Sequence, residues 1–272
     1  STALSRAGWK VALVERQLVG GSCINWGCTP TKTMVASARA AYLARRAAIL
    51  GVQTGTVAVD LAAVRQRKQE VVDGFRQGLL RRIQAAENVD LFMGEAQFSG
   101  HKTLVVQLID GGSLQLAADK IFLNTGGRPH LPLLQGLDEV PFLDSTSIME
   151  LEQIPEHLLI IGGGYVGLEF GQMFRRFGSR VSIVQRAGQV LSDEDRDVAD
   201  AVAEILREDG IDLFLGAEAQ EVRAADGEIG LHLRAVAQPA RNLPRLPHVA
   251  AKGHVAAVLL SAAHHRDEAV IV

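Results

Sequence analysis

Residues 157–186 read HLLIIGGGYVGLEFGQMFRRFGSRVSIVQR, an apolar run followed by a glycine turn, an amphipathic helix and a second apolar strand. Gly162, Gly164 and Gly167 form the pattern G-x-G-x-x-G where the first strand passes into the helix. In this pattern the first glycine permits a tight turn, the second lets backbone approach a pyrophosphate, and the third lets helix and strand pack closely. The helix N-terminus adds N–H groups and a positive dipole end. The stretch therefore predicts a βαβ unit that binds a dinucleotide.

The end of the second strand indicates which dinucleotide binds. Gln185 and Arg186 stand there, where NAD sites usually carry Asp or Glu on the ribose 2′-hydroxyl and NADP sites have an arginine near the 2′-phosphate. Gln185 removes a carboxylate that would repel this phosphate, and Arg186 offers a fork of donors. NADP is the predicted nucleotide, with NAD as the alternative. The competing interpretation of Arg186 is a solvated surface side chain.

The chain contains an internal repeat. Residues 6–16 (RAGWKVALVER) align without gaps with residues 176–186 (RFGSRVSIVQR), and both read as the end of a Rossmann helix followed by its second strand. Glu15 ends the first copy of the strand, where a ribose requires an acidic residue. By the same offset the first glycine turn would precede Ser1. We therefore expect two dinucleotide sites, and a chain that begins inside its first Rossmann unit.

Composition and charge bound the class of protein. The chain has 272 residues, 47% hydrophobic and 22% charged, and a net charge of −3, which gives no general attraction to nucleic acid or to an anionic membrane. It has no apolar run of the roughly 18–20 residues that a membrane span needs, and no signal-peptide pattern. Two cysteines cannot form a secreted disulfide scaffold. A cytoplasmic protein is expected.

Both cysteines lie in one short segment, VGGSCINWGCTPTKT, residues 19–33. A zinc site at Cys23 and Cys28 would need histidine partners, and the next histidine is His101, so no metal site is predicted. Residues five apart on a regular helix have Cα atoms roughly 8–9 Å apart, whereas a disulfide tolerates about 7 Å. A bridge thus needs a distorted helix start. A structural disulfide, a redox pair and two inert buried cysteines remain open at this point.

Elsewhere the periodicity predicts further elements. Helical spacing indicates helices over residues 30–50 and 60–87, and a helix followed by a strand begins near residue 197. Three stretches, VDLFMGEAQFSG, TLVVQLID and KIFLNTGG, are predicted as strands. A proline-punctuated connector, LPLLQGLDEVPFL, places a domain boundary near residue 150.

The motifs VALVER, GGSCINWGCTPTK, NTGGRP and GGGYVGLEF, in this order, resemble the pyridine nucleotide–disulfide oxidoreductases, above all those labelled mercuric reductase-like. The resemblance extends over residues 6–225. It implies an α/β fold of two Rossmann-like FAD/NAD(P)-binding domains, three-layered with a parallel sheet. It also implies that Cys23 and Cys28 form a redox-active disulfide beside FAD.

The resemblance assigns catalytic roles to five residues. It makes Cys28 the charge-transfer thiol that faces the flavin, and Cys23 the interchange thiol that meets the acceptor. Lys32 approaches the flavin and pairs with Glu169. Tyr165 stands where an aromatic ring covers the flavin and moves aside for nicotinamide. The competing interpretation of Lys32 is plain surface charge, and that of Tyr165 is packing at a helix start.

The predicted cofactor-binding residues, for FAD and NADP together, include the glycine turns and the ends of both strands. They are Glu15, Gly21, Ser22, Gly27, Lys32, Glu95, Ala96, Thr125, Gly126, Gly127, Gly162, Gly164, Gly167, Gln185 and Arg186. No metal-ligating residue is predicted.

The predicted domains are an FAD-binding domain over 1–150, an NAD(P)H-binding domain over 151–232 and an atypical tail over 233–272. The tail lacks the family's flavin-contacting G-D turn and its dimerisation domain, and His264 and His265 do not replace the missing His-Glu pair. The family is homodimeric, but the part that dimerises is not found here. The fold is accordingly expected to be incomplete.

The resemblance implies an oxidoreductase that passes electrons from NAD(P)H through FAD to the cysteine pair and on to a disulfide or metal-ion acceptor. The alternative is a nucleotide-binding fragment of such an enzyme without turnover. Mercuric reductases use a further cysteine pair, and the sequence has no third cysteine, so mercury reduction is not supported. The expected partners are a small molecule or metal ion, with neither nucleic acid nor membrane.

Overall fold

The computed structural model describes residues 2–225, 228–236, 249–251 and 256–260. These residues cluster into two compact units. The first contains residues 2–30 and 69–128, and the second contains residues 31–68 and the described residues from 129 onward. The domain ranges 1–150, 151–232 and 233–272 follow the family pattern rather than this clustering, and they stay predictions.

Six α-helices are described. They are α1 (Thr2–Arg6), α2 (Gly21–Asn25), α3 (Cys28–Arg46), α4 (Leu61–Gln84), α5 (Tyr165–Phe177) and α6 (Arg196–Glu208). Short 3-10 turns occupy Ala47–Leu50, Leu137–Glu139 and Ser147–Glu150. The helices predicted over 30–50 and 60–87 are confirmed as α3 and α4. No helix within the described ranges is long and apolar enough to cross a membrane.

The first unit is built on a four-stranded sheet in the order β1-β2-β3-β4. Its strands are β1 (Val11–Glu15), β2 (Val89–Gly100), β3 (Thr103–Leu108) and β4 (Ser113–Ala117). β1 runs parallel to β2, with Val11 opposite Val89, and the other two pairs are antiparallel. The β3–β4 connection contains Gly111 and Gly112, both with positive φ, as tight hairpin turns require.

The second unit contains a five-stranded parallel sheet in the order β5-β12-β6-β7-β8. Its strands are β5 (Phe142–Leu143), β6 (His157–Ile161), β7 (Arg180–Gln185), β8 (Asp212–Leu215) and β12 (Ala256–Leu260). Helix α5 connects β6 to β7, and α6 connects β7 to β8. The βαβ unit predicted from residues 157–186 is thereby confirmed, as is the α/β class with Rossmann-like elements.

The buried core of the second unit lies on both faces of β6. Leu158, Leu159 and Ile160 are fully buried. Leu158 and Ile160 join the cluster beneath α5 and α6, and Leu159 joins a separate cluster with Val222 and Leu231. This continuous apolar run is typical of a parallel strand covered on both sides.

A three-stranded antiparallel sheet completes the second unit. Its strands are β9 (Ala217–Ala225), β10 (Glu228–Ala235) and β11 (Val249–Ala251), with β10 in the centre. Strands β11 and β12 fall within residues 233–272, which the sequence marked as atypical, and β12 lies inside the parallel sheet between β5 and β6. His264 and His265 lie outside the described residues.

One predicted strand is wrong. Residues 120–127 (KIFLNTGG) form no strand, and Asn124 is an isolated bridge residue. The local sequence has strand propensity, but a strand also needs a neighbour whose N–H and C=O groups complete a ladder. The other two predicted strands, β2 and β3, pair with each other and satisfy this condition.

A buried histidine lies at the start of β6. His157 is 3% exposed, and its Nε2 lies 3.0 Å from the Ser182 hydroxyl. Burial, and secondarily the positive charge of Arg180, lower the pKa of His157 from 6.5 to about 4, with Asp212 opposing the shift. The folded protein therefore holds this imidazole neutral where an unfolded chain would already be protonated.

We expect the free energy of unfolding to decrease as the pH is lowered from about 6.5 to about 4. Over this range the unfolded state binds a proton at His157, whereas the folded state does not. This group alone contributes a slope of at most about 1.4 kcal/mol per pH unit. Urea unfolding at several pH values measures the slope, and His157→Gln removes that share of it. His101→Gln, which deletes an exposed imidazole, is the control. Equal slopes in the wild type and in His157→Gln would contradict this account.

Candidate functional sites

The segment between the two cysteines is not one continuous helix. Helix α2 ends at Asn25, and α3 begins at Cys28. Trp26 and Gly27 interrupt the helix between them. A Cβ added to Gly27 would lie 3.1 Å from the Ser22 carbonyl oxygen, so this close approach favours glycine. The distorted helix start that a Cys23–Cys28 contact requires is therefore present.

The two cysteines lie in contact as free, solvent-exposed thiols. A hydrogen bond with Cys28 is the largest cause that raises the pKa of Cys23. Burial and the charge of Cys28 raise it further, whereas the backbone N–H groups of Cys28 and Thr29 lower it. The contact with Cys28 thus favours the protonated form of Cys23. The disulfide that the resemblance implies is not formed in this structure and remains a proposal.

A buried asparagine that the sequence analysis missed holds the loop before the cysteine helices. The Asn25 side-chain amide donates to the carbonyl oxygens of Leu18 and Gly21, at 3.2 and 3.0 Å. Its Oδ1 accepts a hydrogen bond of 2.9 Å from Arg76 on α4. Asn25 is 8% exposed, so these bonds satisfy a polar side chain that water hardly reaches. Its place between the two cysteines was the available signal.

Several residues predicted to bind the flavin lie in the first unit. Glu15 ends β1, and its carboxylate accepts the backbone N–H of Gln17 at 2.7 Å. A Cβ added to Gly126 would lie 3.2 Å from the Ser22 hydroxyl, so the 125–127 segment reaches the first turn of α2.

Two other residues predicted to bind a cofactor, Glu95 and Ala96, lie elsewhere in the first unit. Glu95 and Ala96 lie along β2, opposite Gln107 and Val106 of β3. The Glu95 carboxylate, 3.4 Å from Arg16, is largely exposed. Both residues lie on β2, and their role in binding a cofactor stays a prediction.

The predicted glycine turn has the expected geometry. Gly162 has φ +107, which side chains rarely adopt, and its N–H donates to the Val184 carbonyl oxygen at 2.8 Å. Helix α5 then starts at Tyr165, and the first helical hydrogen bond runs from Leu168 N–H to the Gly164 carbonyl oxygen. A Cβ on Gly164 would meet no atom within 4 Å, so open space adjoins the turn at the helix N-terminus.

Gln185 and Arg186, the residues predicted to select the nucleotide, differ in role. The Gln185 Oε1 accepts the Gly163 N–H at 3.1 Å, so Gln185 closes the glycine turn. Arg186 is exposed, and its positive charge contributes to lowering the pKa of Glu218, although the Glu218 hydrogen bond with Arg234 is the larger cause. A second arginine, Arg234 on β10, therefore lies in the same charged group. The sequence analysis missed it because it lies on a different sheet.

Lys32 and Glu169 form an ion pair within the second unit. Lys32 lies one turn into α3 and Glu169 on the second turn of α5. The pairing that the resemblance implies is thus present, and the role of the pair at the flavin stays a prediction.

Tyr165, also assigned to the flavin, donates its hydroxyl hydrogen bond to Glu194. This bond is the largest cause that raises the pKa of Tyr165. Among the described residues no group of three or more His, Cys, Asp or Glu side chains could hold a metal ion.

Comparison with known proteins finds the family model described as pyridine nucleotide-disulphide oxidoreductase, which matches residues 1–249. The chain is 38% identical over 232 residues to the probable pyridine nucleotide-disulfide oxidoreductase RclA of Escherichia coli K12, covering 84% of this chain and 48% of that protein. It is 39% identical over 222 residues to the mercuric reductase of Streptomyces lividans, covering 81% and 46%. The chain spans about half the length of the curated relatives it matches.

Solved structures give the same answer. The HOCl-induced flavoprotein disulfide reductase RclA from Escherichia coli superposes with a TM-score of 0.77 at 34% identity, covering 96% of this chain and 53% of that chain. Its Cu(II) complex superposes with a TM-score of 0.78 over the same coverage. The fold of the described residues is therefore shared with that protein.

We expect Cys28→Ala to lower the pKa of Cys23, because it removes the hydrogen bond and the charge that raise it and keeps the backbone N–H that lowers it. Iodoacetamide labelling of the reduced protein over a pH series, with fragmentation mass spectrometry to locate the label, measures the midpoint for Cys23. Thr29→Ala retains its backbone amide and serves as the control. A midpoint for Cys23 that stays the same or rises in Cys28→Ala would refute the assignment.

Proposed function

The chain belongs to the pyridine nucleotide-disulphide oxidoreductase family, and from this premise we propose that it carries electrons from NAD(P)H through FAD to the Cys23–Cys28 pair and on to an acceptor. The observation that supports the proposal most is the contact of the two thiols across the break between α2 and α3. Two cysteines held together and exposed can form and break a disulfide repeatedly, which inert buried cysteines cannot.

The first unit carries residues that fit a flavin nucleotide. Glu15 provides a carboxylate at the end of β1 for a ribose. Gly21 and Gly127 leave open space where a Cβ would stand, so backbone at α2 and at the 125–127 segment is accessible to a ligand. FAD, when bound, supplies a carrier that exchanges electron pairs with both a nicotinamide and a disulfide. Lys32, Glu169 and Tyr165 keep their implied flavin roles within this proposal.

The second unit carries residues that fit NADP. The glycine turn at Gly162 and Gly164 adjoins open space at the N-terminus of α5, where backbone N–H groups and the helix dipole attract a pyrophosphate. Gln185 closes the turn without adding a negative charge, and Arg186 stands exposed beside it. These features support NADP, with NAD as the alternative.

The chemistry of the thiol pair follows from its geometry. Two electrons and two protons convert the Cys23–Cys28 disulfide to two thiols. Deprotonated Cys23 then attacks an acceptor disulfide, releases one acceptor thiolate and forms a mixed disulfide. Attack by the Cys28 thiolate on the Cys23 sulfur releases the second acceptor thiolate and restores the Cys23–Cys28 disulfide. Cys23 and Cys28 lose their protons to solvent before they attack, and the two released acceptor thiolates take up two protons in turn. The exposed position of Cys23 gives an acceptor access.

The acceptor is proposed as a class. Relatives include a flavoprotein disulfide reductase and mercuric reductases, so the acceptor is a disulfide or a metal ion. Thiolates bind both, because both are soft electrophiles.

The second hypothesis is a nucleotide-binding chain without turnover. The chain spans about half of each relative, so the activity of the whole relatives extends to it only as a proposal. The two hypotheses differ in whether electrons reach the cysteine pair.

We expect the oxidised chain, incubated with FAD and desalted, to retain a flavin absorbance band. Anaerobic addition of one equivalent of NADPH then exposes two new thiols per chain and adds a long-wavelength charge-transfer shoulder. Cys28→Ser abolishes the shoulder, whereas Cys23→Ser, with Cys28 intact, shows it before any NADPH is added, because its Cys28 thiolate faces an oxidised flavin. The measurements are absorbance and a thiol titration.

Each outcome discriminates between the hypotheses. Flavin retained without new thiols would contradict the electron path to the cysteines. Loss of the flavin on desalting, with NADPH still bound, would support the chain without turnover.

We expect Arg186→Ala to weaken NADPH binding about ten-fold, because it removes charge-assisted hydrogen bonds to the 2′-phosphate. NADH binding stays unchanged, since NADH lacks that phosphate. Isothermal titration with each nucleotide measures both constants. Arg196→Ala, which removes an exposed arginine paired with Asp200 on α6, is the control. Equal weakening of NADPH and NADH binding would assign Arg186 a structural role instead.

A further inference from the structure

The loop that follows β7, residues 187–195, is fastened to the glycine turn. The Leu191 N–H donates to the Gly163 carbonyl oxygen at 2.9 Å, and the Glu194 N–H donates to the Leu191 carbonyl oxygen at 2.9 Å. Leu191 has φ +48, in the left-handed region that a branched apolar residue rarely adopts. Its side chain is 8% exposed, beside the fully buried Val190. Burial and hydrogen bonding together hold this unusual backbone in place, and they thereby fix the position of the Glu194 backbone.

Glu194 in turn holds an exposed aromatic ring. Tyr165 is the first residue of α5, directly after Gly164, and it is 66% exposed. Its hydroxyl donates to the Glu194 Oε1. A continuous series of hydrogen bonds thus leads from Gly163 through Leu191 and Glu194 to Tyr165, which itself adjoins the glycine turn. An exposed tyrosine without such a partner would sample several rotamers.

We propose that Glu194 is a positioning residue that holds the ring of Tyr165 beside the glycine turn before a nucleotide arrives. The inference rests on the proposed function, in which this turn binds NADPH. The resemblance has this ring cover the flavin and move aside for nicotinamide, and in the proposal the position bound to Glu194 is the one moved aside. Holding the ring there beforehand spares the binding step the cost of displacing it, so the Tyr165–Glu194 contact strengthens nucleotide binding. Glu194 lies outside the glycine pattern and 29 residues from Tyr165, so no local motif contains both.

A neighbouring carboxylate separates the contact from simple charge. Asp193 adjoins Glu194 and is exposed. Its charge also reaches Tyr165 and adds to the effect of Glu194 on the pKa of the hydroxyl, but it forms no hydrogen bond with Tyr165 among the described contacts. Asp193→Asn removes one negative charge, as Glu194→Ala does, and leaves the contact intact. It is therefore the matched control.

The contact itself is tested without any nucleotide. The chain has two tyrosines, so Tyr42→Phe leaves Tyr165 as the single tyrosine that ionises. In this background, absorbance near 295 nm follows Tyr165 through its alkaline transition, and circular dichroism checks that the fold persists. Glu194→Ala should move the midpoint down, and Asp193→Asn should move it less. An unmoved midpoint in Glu194→Ala, or an equal movement in both variants, would overturn the proposal.

The effect on binding is tested by a double-mutant cycle with NADPH. Tyr165→Phe and Glu194→Ala should each raise the dissociation constant about two- to ten-fold, the range of one hydrogen bond, and the double variant should raise it no further. Asp193→Asn should leave it unchanged or lower it. Additive effects would show that the two residues act separately, which overturns the proposal.

The two experiments also separate this inference from the proposed function. Absence of NADPH binding to the unaltered chain would reject the proposed function. The tyrosine titration would still decide whether Glu194 holds Tyr165.

Discussion

The second unit depends on the burial of one short strand on both of its faces. Strand β6 takes backbone hydrogen bonds from β7 on one side and from β12 on the other. Alternate side chains of the strand enter two different clusters, with Leu158 and Ile160 on one face and Leu159 on the other. Polar residues in the middle of this strand would leave a buried group without a partner. The glycine turn begins directly after this strand, so the packed strand gives the turn a rigid support.

A comparable constraint shapes the cysteine segment. Residues five apart cannot touch on a regular helix, so contact between Cys23 and Cys28 demands an interruption. Gly27 supplies the interruption through its close approach to the Ser22 carbonyl, and Asn25 fixes the chain on the other side. The cysteine pair is thus placed by backbone geometry and by a buried amide.

Local patterns predicted the elements and motifs of this chain, because periodicity and glycine spacing act over a few residues. The βαβ unit at 157–186 and the two long helices belong to this class, whereas the distorted helix start near the cysteines was only a condition for a bridge. Contacts between distant residues were not predictable. Arg76 reaches Asn25 across 51 residues, and Arg234 joins Arg186 from another sheet. The prediction for residues 120–127 was wrong for the opposite reason, since the local propensity favours a strand but no strand ladder forms there among the described residues.

The position of β12 has a consequence for how the chain acquires its structure. Strand β6 is synthesised about a hundred residues before β12, whose Ala256 lies opposite His157 of β6. Until it arrives, β6 presents an open edge with unpaired N–H and C=O groups and a strongly apolar sequence. Such non-local pairing slows folding and prolongs exposure to association with other chains. The interval between synthesis of β6 and synthesis of β12 is thus the one in which the edge of β6 is open to pairing with another chain.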